Sequence, residues 1–517
     1  MVRRRWVAPL LTAAVLAVVG CGSAETPSGP ARTPGPAATT AVPPPAVAPK
    51  PVDVAVVVEG MPADVRVGPM VNVDEDHAVL VLDAVIPDDP PLQASARPWE
   101  NVPATERHPY GALMGRLPVL DLGAGTVEEP LDVGGFTASS WYRRDEGRHV
   151  GYAAYGRQEA DTVAVLVPHG DVVEVPVVDL AHLTAEGGAR DPKAVLEAGQ
   201  WLLEADPALG RERGQLTVQR MALEVVARDH AGTVDVAASA EGTVVRITAQ
   251  ALFEDGSAEP AAGSDAALDA VVAQLEERRF EEVRVAVPSG HDLPADTAHE
   301  RGEAVLERLH RLTDLSGLSG AEVEAIPGGG RSAAGPERIE VHLRGAAGGT
   351  VPRIAPWGGP ELPEPTGPVV AAPGPAEVEL GEDAPVAVAL EEVREVGDLL
   401  VGRVLVTNTG AERIRSVEEY FTRGRADDAR EGSRFMRRTD AFALTVAGTR
   451  YFPVEYPVWD RYMALAPSQR QDLAPGDTYV ATVVWPRVPG MSVVLDVAGR
   501  EGGYRTPDVR VTDVPVR

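Results

Sequence analysis

The chain has 517 residues, 77 acidic and 48 basic, for a formal net charge of −29; 44% of its residues are apolar. A surface this acidic repels phosphate backbones, which excludes nucleic acid as the partner. A single cysteine, Cys21, excludes an internal disulfide framework.

The chain opens with a basic stretch, Arg3 to Arg5, followed by an apolar run from Trp6 to Val19. That run is shorter than the roughly 20 residues of a membrane span and has the layout of a signal peptide. It ends in Val18-Val19-Gly20-Cys21, which resembles the lipobox of bacterial lipoproteins. The resemblance implies a signal peptide over 1–20 and acylation of Cys21, with palmitate-type chains contributing about 0.8 kcal/mol per buried methylene. The alternative is an ordinary secretory signal that happens to contain a cysteine. On the first reading the protein is extracytoplasmic, lipid-anchored to the cell membrane at the cell envelope. Lys50 and Lys193 are the only lysines. With the excess of Ala, Val, Gly and Pro, this composition fits a high-GC genome, and an actinobacterial source is expected.

Residues 21–50 form a Pro/Ala-rich linker that cannot bury enough apolar surface to fold and that its prolines stiffen into a spacer. Over 51–190, short β-branched runs such as "VDVAVVV", "DHAVLVLDAV", "DTVAVLV" and "DVVEVPVVD" are punctuated by Gly, Pro and Asp. They predict a mainly antiparallel β-sandwich. Residues 191–215 read as a connecting segment.

The pattern changes over 216–345. "TVVRITAQALF" alternates like a strand, and Leu268, Val271, Val272 and Leu275 then fall on one helical face. "EEVRVAVP" is a strand. Val305, Leu309 and Leu312 mark a second helix, and "AEVEAIP" and "ERIEVHL" are strands. The order β-α-β-α-β-β predicts an α+β domain with its helices on one face of a sheet. A Pro/Gly-rich linker is expected over 346–377. Strands return over 378–517, where "LLVGRVLVTNTG" closes on a turn and "GDTYVATVVWPRVPGMSVVLDVAG" reads as a hairpin. The region resembles an immunoglobulin-like β-sandwich. Its hairpin and "DTVAVLVPHGDVVEVPVVD" are either traces of a duplication or two unrelated hairpins. The whole is a multidomain chain, an α+β domain between two mainly antiparallel β-sandwich regions.

The middle region resembles the OmpA-like domain, a peptidoglycan-binding module. The residues that carry the resemblance are "ALFEDGSAEPAAGSDAALDAV", "VPSGHD", "RGEAVLERL" and "ERIEVHL", in that order. It implies that Asp292 and Arg301 hold the diaminopimelate of a peptidoglycan stem peptide, with His291 and Arg338 beside them. A carboxylate takes the ligand ammonium and a guanidinium takes its carboxylate, while the helix N-terminus favours an anion. The segment between the two residues is shorter than in the family, Pro294 and Thr297-Ala298 stand at family Asn and Leu-Ser positions, Gly302 replaces an alanine, and only Arg338 remains of a final Asn-Arg-Arg. The alternative is a bare scaffold. Thr297 to Glu300 then form a capping box, and Arg301 pairs with Asp296 or Glu300 in solvent.

Chemistry-bearing motifs are few. There is no His-Glu-x-x-His, Gly-x-Ser-x-Gly, phosphate loop or cysteine pair. No enzyme, cofactor or metal site is expected, and His291 and His299 read as polar surface or turn residues. Tyr451, Phe452, Tyr456, Trp459 and Tyr462 either line a carbohydrate groove or, as preferred, fill core. The expected function is a lipid-anchored envelope protein that binds peptidoglycan non-covalently through 216–345 and ties membrane to wall. The alternative is an interaction lipoprotein that has lost this binding, its β-sandwiches serving protein partners.

Overall fold

The computed structural model describes residues 50–58, 61–85, 117–133, 136–137, 139–143, 148–167, 170–183, 190–203, 218–289, 293–317, 320–327, 337–345, 351–358, 364–381, 384–421, 441–458, 461–466, 471–497 and 508–517. The expected signal peptide, Cys21 and nearly all of the first linker therefore lie outside the described residues.

The β-branched runs after Pro51 form strands because alternate side chains find a core on each face. In His77–Val85, Ala78, Leu80, Leu82 and Ala84 face one core, and Val79 and Val81 face another. The strand pairs antiparallel with Met61–Asn72 and with Arg148–Gly156. Thr162–Leu166 and Val172–Asp179 form the expected antiparallel hairpin. Val172–Asp179 then joins Met61–Asn72 in parallel, one exception to the antiparallel expectation. Val119, Val163 and Val165 from one half of this sheet meet Val67, Leu80 and Leu82 from the other in a shared core, which gives the region its two layers.

The expected connecting segment contains a helix, Pro192–Leu203. Val195, Ala198 and Leu202 are its buried stripe, and they pack with Val79 and Val81. The spacing i, i+3, i+7 is legible in the sequence.

A second sheet has, among the described residues, eleven strands. In chain order these are β1 (Val225–Asp229), β2 (Val234–Ser239), β3 (Gly242–Thr248), β4 (Glu282–Ser289), β5 (Gly320–Pro327), β6 (Arg338–Arg344), β7 (Val369–Ala371), β8 (Phe442–Val446), β9 (Thr449–Tyr451), β10 (Ser492–Val497) and β11 (Val509–Pro515). Their order across the sheet is β5-β4-β6-β3-β2-β1-β9-β8-β10-β11-β7. Three helices follow β3 or β4 in sequence: α1 (Ala249–Leu252), α2 (Ser264–Glu277) and α3 (Ala295–Leu312).

The expected β-α-β-α-β-β order is present from β3 to β6. α2 packs on β2 and β3, and α3 on β4 and β5. Ile339, Val341 and Leu343 of β6 enter the core beneath the helices with Leu268, Val271, Val305 and Leu309. β4 pairs in parallel with β5 and antiparallel with β6, as a helical crossover and a return strand require.

Hydrogen bonding crosses the segment boundaries drawn from composition. β1 pairs with β9, so the sheet of the middle region runs on into strands from 442–515. Part of the expected linker is also packed: Val351, Ile354 and Trp357 are buried in the same core, and Gln274 on α2 exchanges hydrogen bonds with the Ala355 backbone at 3.0 and 3.1 Å. A separate four-stranded sheet, Ala376–Leu380, Ala384–Val396, Leu399–Asn408 and Thr478–Pro486, packs against β11. The C-terminal region is thus two β layers, one of which extends the middle sheet.

The hairpin expected over 476–499 does not form. Thr478–Pro486 pairs with Leu399–Asn408, whereas β10 pairs with β8 and β11. Pro486 ends the first strand and Pro489 stands in the connection, and both withhold backbone donors from a tight turn. Thr478–Pro486 is buried at every position but its first, so it needs a layer on each face. By their contacts, residues from Ala48 onward make one compact unit.

Candidate functional site

α3 carries the site. Ala298, Gly302, Val305 and Leu309 are buried at helical spacing and turn one stripe onto β4 and β5. Gly302 permits the close approach: a Cβ there would lie 2.3 Å from Val323 Cγ1 on β5. The helix begins before the expected capping box. Pro294 is its N-cap, and Ala298 N–H donates to Pro294 O at 2.9 Å. Thr297 is therefore already inside the first turn and caps nothing. Asp296, also in that turn, favours the positive helix end.

Arg301 follows from this stripe, one residue before Gly302, and its side chain is only 4% exposed. Its Nε donates to Ser257 O at 2.8 Å. Its Nη1 donates to both carboxylate oxygens of Glu337, at 3.2 and 3.3 Å. The guanidinium carbon lies 5.3 Å from the centroid of the Phe253 ring, within cation–π range. The expected solvent pairing with Asp296 or Glu300 is thereby corrected: the helix turns Arg301 inward, and Glu337 reaches it from the start of β6.

The turn after β3 supplies the other contacts. α1 ends at the buried Phe253, which bridges to Pro260, while Glu254 N–H donates to Glu259 O at 2.9 Å. This folded turn aims the Ser257 carbonyl at Arg301. The sequence marked the Phe and the Ser-Ala-x-Pro turn but gave no sign of this acceptor.

The geometry of the Arg301–Glu337 pair leaves one edge of the guanidinium over. A single Nη straddles both oxygens, in place of two nitrogens meeting two oxygens in parallel. Among the described residues Nη2 makes no hydrogen bond. Glu337 is 36% exposed on its side chain, so the pair is open from the carboxylate side.

The other sequence-predicted residues divide. His291 and Asp292 lie outside the described residues. Arg338 is next to Glu337 in sequence but points to the opposite face of the sheet, as alternation along a strand requires. Its Nη2 donates to Gly232 O at 3.2 Å. On that face Arg246 Nε donates to Glu340 at 3.0 Å, and His342 Nε2 lies 2.9 Å from the same carboxylate. The hydrogen bond from His342, together with the charge of Arg246, holds the Glu340 carboxyl down at about 2. The structure thus brings Arg301 and Glu337 together and sets Arg338 apart from both.

Two further features bear on the site. Arg308, two turns further along α3, bonds Ser264 and Asp265 at the start of α2, with Nε donating to Asp265 at 3.0 Å; it locks the two helices together. Three of the five residues of the aromatic group contribute core, and Tyr462 is half-buried. Tyr451, Phe452 and Tyr456 are buried, and Tyr451 donates to Ile354 O at 3.2 Å. Trp459 lies outside the described residues. No group of three or more His, Cys, Asp or Glu suited to a metal ion occurs among the described residues.

No protein-family model matches the chain, and no curated protein does. Several solved structures are similar to part of it, among them the following three. The cell wall anchor of the T6SS from Pseudomonas aeruginosa is 21% identical over 22% of this chain and 89% of its own, with a TM-score of 0.19. The periplasmic domain of Helicobacter pylori MotB is 15% identical over 24% of this chain and 88% of its own, with a TM-score of 0.19. A further periplasmic domain of MotB is 13% identical over 31% of this chain and 86% of its own, with a TM-score of 0.20. At identities this low and TM-scores this far below those of a shared fold, no family membership follows from them.

Proposed function

We propose that this is a cell-envelope protein, lipid-anchored through Cys21, whose region 216–345 binds peptidoglycan non-covalently and ties membrane to wall. The reading rests on the resemblance of that region's sequence to the OmpA-like domain. The observation that carries it further is Arg301. It lies in the second turn of α3, held by the Ser257 carbonyl and the Phe253 ring, with a carboxylate already on it. A guanidinium so fixed is shaped to receive a ligand carboxylate. In this reading Asp292 takes the ammonium of diaminopimelate. His291 lies beside it, and Arg338 acts only by supporting β6. No helix of the described residues is long and apolar enough to cross a membrane, and the proposed attachment needs none.

The test is co-sedimentation with purified sacculi containing diaminopimelate. The wild-type protein is expected in the pellet, and Asp292→Ala combined with Arg301→Ala in the supernatant, with circular dichroism confirming that both are folded. A double variant that pellets like the wild type overturns the site.

A second reading is an interaction lipoprotein that no longer binds the wall. The observation in its favour is the burial of Arg301 and its occupation by Glu337. It predicts no wild-type protein in the sacculus pellet.

A further inference from the structure

Glu337 changes the charge balance of the Arg301 site. A ligand carboxylate that reaches Nη1 has to displace the Glu337 carboxylate, since both oxygens of Glu337 lie on that nitrogen at 3.2 and 3.3 Å. Replacing one carboxylate by another gains little and leaves Glu337 without its cation beside a newly arrived anion. A ligand that also carries an ammonium group avoids this cost. Its carboxylate takes Arg301, its ammonium takes the released Glu337, and one internal ion pair becomes two intermolecular ones.

We infer that Glu337 is a specificity-determining residue that makes the Arg301 site select zwitterionic, amino-acid-type ligand ends over plain carboxylates. The inference rests on the carboxylate-binding reading of Arg301 given above and gives the ligand ammonium, which the resemblance assigns to Asp292, a second acceptor in Glu337, a residue that the resemblance did not mark. Three placements support it. Glu337 is the half-exposed member of the pair and Arg301 the buried one, so the carboxylate can swing out while the guanidinium stays. Arg301 is independently fixed by Ser257 O and Phe253, so it does not follow Glu337. The Glu337 backbone is anchored, its carbonyl accepting from Ala249 N–H at 2.8 Å, so a displaced side chain remains next to the site.

The probes are diaminopimelate and pimelate, which share a seven-carbon dicarboxylate chain and differ in the two amino groups. Calorimetric titration of the full chain is expected to show diaminopimelate binding at least about tenfold tighter than pimelate, equivalent to about 1.4 kcal/mol. In Glu337→Gln, which keeps shape and removes charge, that ratio should fall below about threefold, because pimelate gains and diaminopimelate loses. Arg301→Lys should weaken both.

Wild-type protein that binds both probes equally, or a ratio unchanged in Glu337→Gln, overturns the inference. The wall reading is scored separately on sacculi. Pelleting with an unchanged probe ratio leaves the wall reading standing and removes the role of Glu337. A collapsed ratio without pelleting keeps that role and removes the wall. Binding of neither probe by any variant, with no pelleting, removes both.

Discussion

Arg301 shows how far a residue can be read from its neighbours in sequence. Its place in α3 was legible, because the apolar spacing of Val305 and Leu309 fixes the register of the helix. Its partner was not. Glu337 is 36 positions away, and no local pattern links a helix residue to the residue that enters a strand after two intervening connections. Gly302 is a second case. The sequence showed a glycine where the resembling family has alanine, and the structure supplies the reason, since a Cβ would meet Val323. Gly302→Ala should therefore cost about 1–3 kcal/mol through overpacking, read as a lowered midpoint in urea denaturation. Glu340 gives a prediction in pH. Its carboxyl is held at about 2 by the His342 hydrogen bond and by Arg246. A depressed carboxyl contributes stability that is fully present above its unfolded value and is lost as pH falls through its folded value. Wild-type stability should decline from about pH 4.5 toward about 2, and Glu340→Gln should flatten that decline in acid titrations followed by circular dichroism.

At the scale of elements, α3 is held by its stripe and not by its cap. Thr297→Ala should change stability by less than about 0.5 kcal/mol, the range of an ordinary surface change, against about 1 kcal/mol for a true N-cap. Leu309→Ala should cost about 2–5 kcal/mol, because Leu309 is fully buried in the core beneath the sheet. Thermal melts of the two variants separate the cases. The elements of the middle region were legible because helix and strand periods alternate clearly from Thr243 to Leu343. The helix Pro192–Leu203 was missed although Val195, Ala198 and Leu202 carry its spacing; the masking came from the irregular sequence on either side. The hairpin over 476–499 was misread for a different reason. Two strands close in sequence look like partners, and only the burial of both faces of Thr478–Pro486 assigns it to another layer.

For the whole molecule, composition marked where the pattern changes but not where hydrogen bonding stops. Linker-like stretches suggested that 216–345 could stand alone. Yet β1 pairs with β9, and Ile354 and Trp357 from beyond that range fill its core. A fragment of residues 218–345 should consequently be unstable or aggregate through the bared edge of β1, whereas residues 48–517 should stay folded and soluble, as gel filtration and circular dichroism would show. The pairing of β1 with β9 also sets an order in time. β1 is made early, and the strand that completes its ladder, Thr449–Tyr451, emerges only after the entire α+β region and the four-stranded sheet's first three strands have been synthesised. Contacts so distant in sequence form slowly. The sheet beneath Arg301 is thus finished last, when nearly the whole chain is available.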